Sequence, residues 1–264
     1  MTTFIFGSSA IALYLLGWIG YTLEIINKGK IKASLIQAIT CVTIVLHGFA
    51  TFGLLFHSGG LDLSLLKILA LLALVINSLV YLNGLREPIN SLYLILFPVS
   101  AVTLILALAS SSTKSTTLLP YSLQAHILVS VLAYSFLAIA ALHALLAGYQ
   151  NWQLKHKHQN ALMRKLPALE TMEKLLFELI WVGEILLTIS LLTGFYVYSD
   201  FFAQQLIHKV TFSIVAWLVY AVVIFGKYHY GWRGQRAINW TWVGFLAILL
   251  GYLGSKFVIE FILT

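Results

Sequence analysis

Apolar residues run almost unbroken for about twenty positions at a time along this chain, and short polar connections separate the runs. A helix needs about 20 residues to cross a hydrocarbon core of about 30 Å, and by that measure we predict eight spans: 4–23, 33–56, 65–81, 91–109, 121–149, 174–198, 209–225 and 238–262. The fifth is longer than a bilayer requires, so it should tilt or project beyond it. Pro120 suits a helix start, whereas Pro98 lies inside the fourth span and should kink it.

Composition agrees with the pattern. Of 264 residues, 60% are hydrophobic and 9% are charged, and the mean hydropathy is +0.93. A soluble domain of this length carries about a quarter charged residues, so the chain is expected to be an all-α, polytopic integral membrane helix bundle. No connection is long enough for a separate domain, so residues 1–264 are read as a single transmembrane domain. Residues 1–23 have neither a basic leader nor a small-residue cleavage site, and read as a retained first helix.

The cations predict orientation. With the first connection cytoplasmic, Lys28, Lys30, Lys32, Arg86, Lys155, Lys157, Arg164, Lys165, Lys174, Lys227, Arg233 and Arg236 lie inside. Only Lys67, Lys114, Lys209 and Lys256 lie on the other face, a bias of 12 against 4 that puts both termini on the outer, periplasmic side. The net charge of +7 is then explained by anionic lipid, and nucleic acid need not be invoked as a partner. The longest connection, 150–173, is basic and is expected to be partly helical at the surface. Its histidines, His156 and His158, have no further ligand nearby, and a single cysteine, Cys41, excludes an intrachain disulfide or a CxxC pair.

Candidate chemistry therefore lies in polar groups inside the spans, where ionisable side chains are costly. His47 shares a helical stripe with Gln37, Thr40, Ile44 and Thr51; His126 has Ser122 and Ser130 one turn to either side; His208 opens the seventh span. On the predicted topology all three occupy the outer half of the bilayer or its rim. Imidazoles from separate helices can ligate haem iron or a transition metal, and can equally make interhelical hydrogen bonds. His143 is about 25 Å deeper than His126 and reads as structural. Glu178 and Glu184 are the internal acids of the sixth span, suited to ion pairing, hydrogen bonding or proton relay. Trp232, Trp240 and Trp242 suit an interfacial belt, while Trp217 lies deeper.

One stretch, "KYHYGWRGQRAINWTW" (residues 227–242), carries more than membrane anchoring. The succession "AWLVY", "GWRGQRA" and "GYLGSKF" in residues 208–258 resembles the C-terminal part of the CcsA-type cytochrome c assembly family, and "QAHILVSVLAYSFLAIAALHALL" resembles that family's helix with an outer histidine. With "LPALETMEKLLFELI" and "LTISLLTGFYVYSDFFAQQLIHK" the likeness is greater to the shorter YpjD/HemX-like branch. The resemblance implies a membrane haem-handling protein of a bacterial plasma (inner) membrane, with lipid and other cytochrome c assembly or membrane proteins as partners. It implies a b-type haem, bound durably or in passage, with His126 as an outer ligand and His47 as the histidine of an early helix. His208 would replace a missing second ligand, and Trp217, Lys209 and Ser130 would lie around the ring. The chain departs from the synthases of the family: "QQLIHKVTF" stands where they carry a tryptophan-rich motif ending in WDPKETW, Phe225 stands at a histidine position, and a second outer histidine is missing. These departures point away from the synthase reaction and give no catalytic residue. Two other readings stay open: an accessory or regulatory subunit of the same fold that has lost haem, and a small-solute or proton transporter using Glu184, His126 and Lys256.

Overall fold

The computed structural model describes residues 2–26, 33–57, 60–85, 90–110, 119–157, 160–197 and 207–254. Lys28, Lys30, Lys32, Arg86, Lys114, His158, Lys256 and the end of the eighth predicted span lie outside the described residues. Among the described residues the apolar runs fold as α1 (Thr2–Ile25), α2 (Ala33–Leu55), α3 (Leu65–Gly84), α4 (Tyr93–Ala109), α5 (Tyr121–Lys155), α6 (Leu169–Val197), α7 (Ile207–Tyr230) and α8 (Gln235–Leu249). α1, α2, α3, α5, α6 and α7 are long and apolar enough to cross a membrane. α4 is shorter, at 17 residues, and α8 continues into a π-helical turn, Leu250–Gly254.

Polar and apolar surfaces are inverted relative to a soluble protein. Phe52 is 62% exposed and Leu192 67%, whereas Lys67 is 1% exposed and His47 and Asn77 are fully buried. Lipid is the solvent that makes this arrangement favourable, because backbone polar groups are satisfied within each helix and polar side chains find partners inside the bundle. The protein is a polytopic membrane helix bundle.

The described residues form two compact units. The first comprises residues 1–119 with 159–167. Here α1 packs against α2 and α4, and α3 against the same two helices. Ala10, Ala50, Ala70 and Ala107 meet around Leu104, small side chains that let the backbones approach closely. Between α2 and α3 the chain makes a small antiparallel ribbon, β1 (Phe56–His57) with β2 (Gly60–Leu61), in the register Phe56 to Leu61 and His57 to Gly60. Gly60 holds φ at 129°, a backbone open to glycine and disfavoured for other residues.

The second unit comprises residues 120–158 with 168–264. α5 and α6 form its most extensive pairing, with Gly183 seated against Leu137. α7 and α8 pair through Gly244 against the Tyr220 ring, and α8 also packs on α5. The basic stretch between α7 and α8 is a tight turn, with Gly231 and Gly234 at φ of 62° and 56°. Gly234 donates its N–H to Glu173 Oε1 (2.8 Å), Trp232 stacks on Trp240, and Arg236 lies over the Trp232 ring. The predicted connection 150–173 is shorter than expected, because α5 runs on to Lys155 and α6 begins at Leu169. Its surface helix is a 3₁₀ turn, Met163–Lys165.

Candidate functional site

In the first unit, all four helices send a polar side chain to one place. Tyr14 of α1 and His47 of α2 meet with the tyrosine hydroxyl 2.9 Å from Nδ1, their rings edge to face. Asn77 of α3 donates to Ser100 of α4 at 2.6 Å, and Ser100, which donates to the carbonyl of Leu96, lies beside Tyr14. The predicted stripe on α2 turns inward as expected, with Thr40, His47 and Thr51 all buried. His47 Nε2 is buried, and the imidazole lies beside the backbone of Ala70 in α3. An imidazole with one nitrogen fixed and the other buried has the makings of a metal ligand.

In the second unit, the N-terminal parts of α5 and α7 and the C-terminal part of α6 line a small, partly open cleft. His126, Ser130 and Tyr134 line it from α5, Ser190 and Gly194 from α6, and Lys209 and Ser213 from α7. Leu187, Leu191 and Val210 give it apolar walls. Nδ1 of His126 lies 3.1 Å from the Thr193 hydroxyl, which also reaches the carbonyls of Ile189 (2.8 Å) and Ser190 (3.1 Å), so α6 holds the imidazole in orientation. Ser130 donates to the carbonyl of His126 and meets the Ser190 hydroxyl, both at 2.7 Å. Lys209 places its ammonium 5.0 Å from the centre of the Tyr252 ring, and Tyr252 in turn packs on Tyr134. The cleft thus offers an imidazole, a cation, several hydroxyls and apolar walls.

The residues singled out from sequence are distributed as follows. His126, Lys209 and Ser130 share the cleft. His208 is exposed in the first turn of α7, beside Lys209 but outside the cleft lining. Trp217 is also outside it, donating its indole N–H to Thr188 at 2.8 Å. His47 belongs to the first unit and His126 and His208 to the second. Ser190, Thr193, Tyr134 and Ser213 were not singled out; the hydroxyl spacing in "TISLLTG" of α6 was the signal that could have found two of them. Glu178 makes an exposed contact with Lys174 at 3.8 Å, as an internal acid would not. His156 is exposed, with Nδ1 at the carbonyl of Trp152, and no group of three metal-ligating side chains occurs among the described residues.

Within the second unit, the cleft residues fit a haem in kind: the imidazole of His126 has one nitrogen engaged by a hydroxyl, and Lys209 can meet a carboxylate.

The model of a family described as cytochrome C assembly protein matches residues 7–263. The inner membrane protein YpjD of Escherichia coli K12 is 32% identical over 239 residues, covering 89% of this chain and 90% of that protein. The cytochrome c biogenesis protein CcsA of Guillardia theta is 28% identical over 231 residues, covering 80% and 70%. The CcsA of Gloeobacter violaceus is 26% identical over 100 residues, covering 37% and 30%. No solved structure matches the chain.

Proposed function

The chain belongs to the cytochrome c assembly protein family, and from that premise we propose that it is a haem-binding or haem-handling protein of a bacterial inner membrane, with its site at the His126 cleft. Bound there, haem would supply an iron that accepts an imidazole lone pair. The observation that carries the reading is the setting of His126: its Nδ1 lies 3.1 Å from the Thr193 hydroxyl, which orients the ring in a cleft shared with Lys209. Lys209 would hold a carboxylate, and Leu187, Leu191 and Val210 would cover an apolar face and keep water from it. His208, one residue before Lys209, would complete the ligand set from the rim, and His47 would serve the first unit in the same manner. The relative named YpjD, an inner membrane protein, supports the location, and the orientation with both termini outside rests on the lysine and arginine bias.

A second reading also has an observation in its favour. The third wall of the cleft contributes Lys209 and Ser213 where a second imidazole would be expected, which suits an accessory subunit that has kept the fold without the haem.

Spectra of protein purified from haem-replete membranes separate the two. Wild type is expected to show a Soret band and a positive pyridine haemochrome assay, with the band shifted or lost in His126→Ala and His208→Ala. Wild type without stoichiometric haem overturns the haem reading, as the accessory reading expects; haem that is unchanged in both variants places the site elsewhere.

A further inference from the structure

We propose that Glu184 is a proton-binding site: a carboxylic acid held neutral inside the second unit that exchanges its proton through the His126 cleft. It does not depend on haem.

Glu184 lies near the middle of α6, is 7% exposed, and has Oε2 buried without a hydrogen-bond partner among the described residues. The elements packed on α6 are α5 and α7. α5 brings His126, Tyr134 and His143 to the interior, and α7 brings Lys209 and Tyr220. Of these, Tyr220 interacts with Glu184, and its hydroxyl donates to the carbonyl of Thr241 at 3.3 Å, so it contributes no positive charge. No lysine, arginine or histidine nitrogen pairs with Glu184 among the described residues. An ionised carboxylate stripped of water needs a cation or several donors, and this site supplies neither. The acid form needs less: one O–H and an acceptor.

The route follows from helix geometry. Leu187 and Ser190 in the cleft wall are three and six residues beyond Glu184, rises of about 4.5 and 9 Å along α6. Thr188, which donates to the carbonyl of Glu184 and accepts from Trp217, flanks the same stretch. Ser190 and Ser130 then lead by hydroxyl contact to the carbonyl of His126. The cleft thus begins within one turn of a carboxyl whose Oε2 has no hydrogen-bond partner among the described residues.

Infrared difference spectroscopy on the full-length protein in lipid tests this. Wild type minus Glu184→Gln at neutral pH is expected to show the carbonyl stretch of a protonated carboxylic acid, and the band should shift on transfer to deuterated buffer. Val210→Phe, which narrows the cleft, is expected to slow that shift by an order of magnitude. A difference spectrum with a carboxylate band instead overturns the proton site, and an unchanged exchange rate in Val210→Phe overturns the route. Should Glu184→Gln fail to fold, a hydrophobic carbodiimide, which attacks protonated acids, replaces it: labelling of wild-type Glu184 at neutral pH that declines as pH rises is expected, and no labelling at Glu184 refutes the proposal. The haem spectrum of Glu184→Gln should match wild type, so this proposal and the haem reading fail on separate measurements.

Discussion

Replacing Asp62 with asparagine should destabilise the first unit by about 3 kcal/mol. Asp62 lies in the turn between β2 and α3, with Oδ2 2.5 Å from the Lys67 ammonium and Oδ1 accepting the N–H of Ser64 at 3.0 Å. The two side chains are 5% and 1% exposed, so the pair lies out of reach of water at the end of α3. Asparagine preserves the shape and the Ser64 hydrogen bond while removing the charge that Lys67 faces. Taking one member from a buried pair costs about 3–5 kcal/mol, and the retained Ser64 contact puts this case at the lower end. The Asp62→Asn/Lys67→Met double variant removes both charges and should recover to within about 1 kcal/mol of wild type. Unfolding in mixed detergent micelles, followed by helix signal, gives the free energies. The pair also makes a pH prediction. Burial by itself raises the carboxyl, but hydrogen bonds from Lys67 and Ser64 outweigh it and hold Asp62 below its ordinary value of 3.8. Its contribution is therefore fully present above that value and is lost as pH falls through the lower, folded one, so the gap between wild type and Asp62→Asn should close under acid conditions. An Asp62→Asn variant within about 0.5 kcal/mol of wild type at neutral pH would refute the reasoning.

Two further outcomes test the packing of the second unit. A Cβ at Gly183 would lie 2.5 Å from Cδ2 and 2.7 Å from Cγ of Leu137, itself fully buried, so Gly183→Ala should cost about 1–3 kcal/mol in the same unfolding assay. Gly148→Ala, whose nearest neighbour would be Ile238 at 3.6 Å, should be neutral or slightly stabilising. Trp217→Phe removes the indole donor to Thr188 and should cost about 1 kcal/mol, with the Thr188 hydroxyl still bonded to the Glu184 carbonyl; no loss of stability would mean that this hydrogen bond contributes nothing net.

How legible the site was depends on the residue. A histidine in an apolar run is conspicuous, because lipid penalises it, and His47 and His126 could be read as inward-facing from their stripes alone. The charge pattern gave Lys209 only as a flanking cation and the family resemblance set it near the ring, whereas its place in the cleft depends on where α7 begins relative to α5 and α6. Ser190 and Thr193 are small and tolerated almost anywhere in a membrane helix, so their partnership with Ser130 and His126 leaves no mark in a single sequence. Glu184 was expected to pair or hydrogen-bond; the absence of a partner for Oε2 depends on what α5 and α7 present to it, not on its own helix.

The sequence by itself determined that this is a helical membrane protein, where most of its helices lie and which family it belongs to. Those properties are written in local composition, in helix period and in short motifs such as "GWRGQRA", each readable within one or two turns. Only the tertiary structure decided that Thr193 meets the His126 ring, that Lys209 rather than His208 lines the cleft, and that Asp62 and Lys67 bury each other. Those facts turn on a few ångströms between side chains 5 to 83 residues apart in sequence, and hydrophobic pattern carries no information about distance across a helix pair.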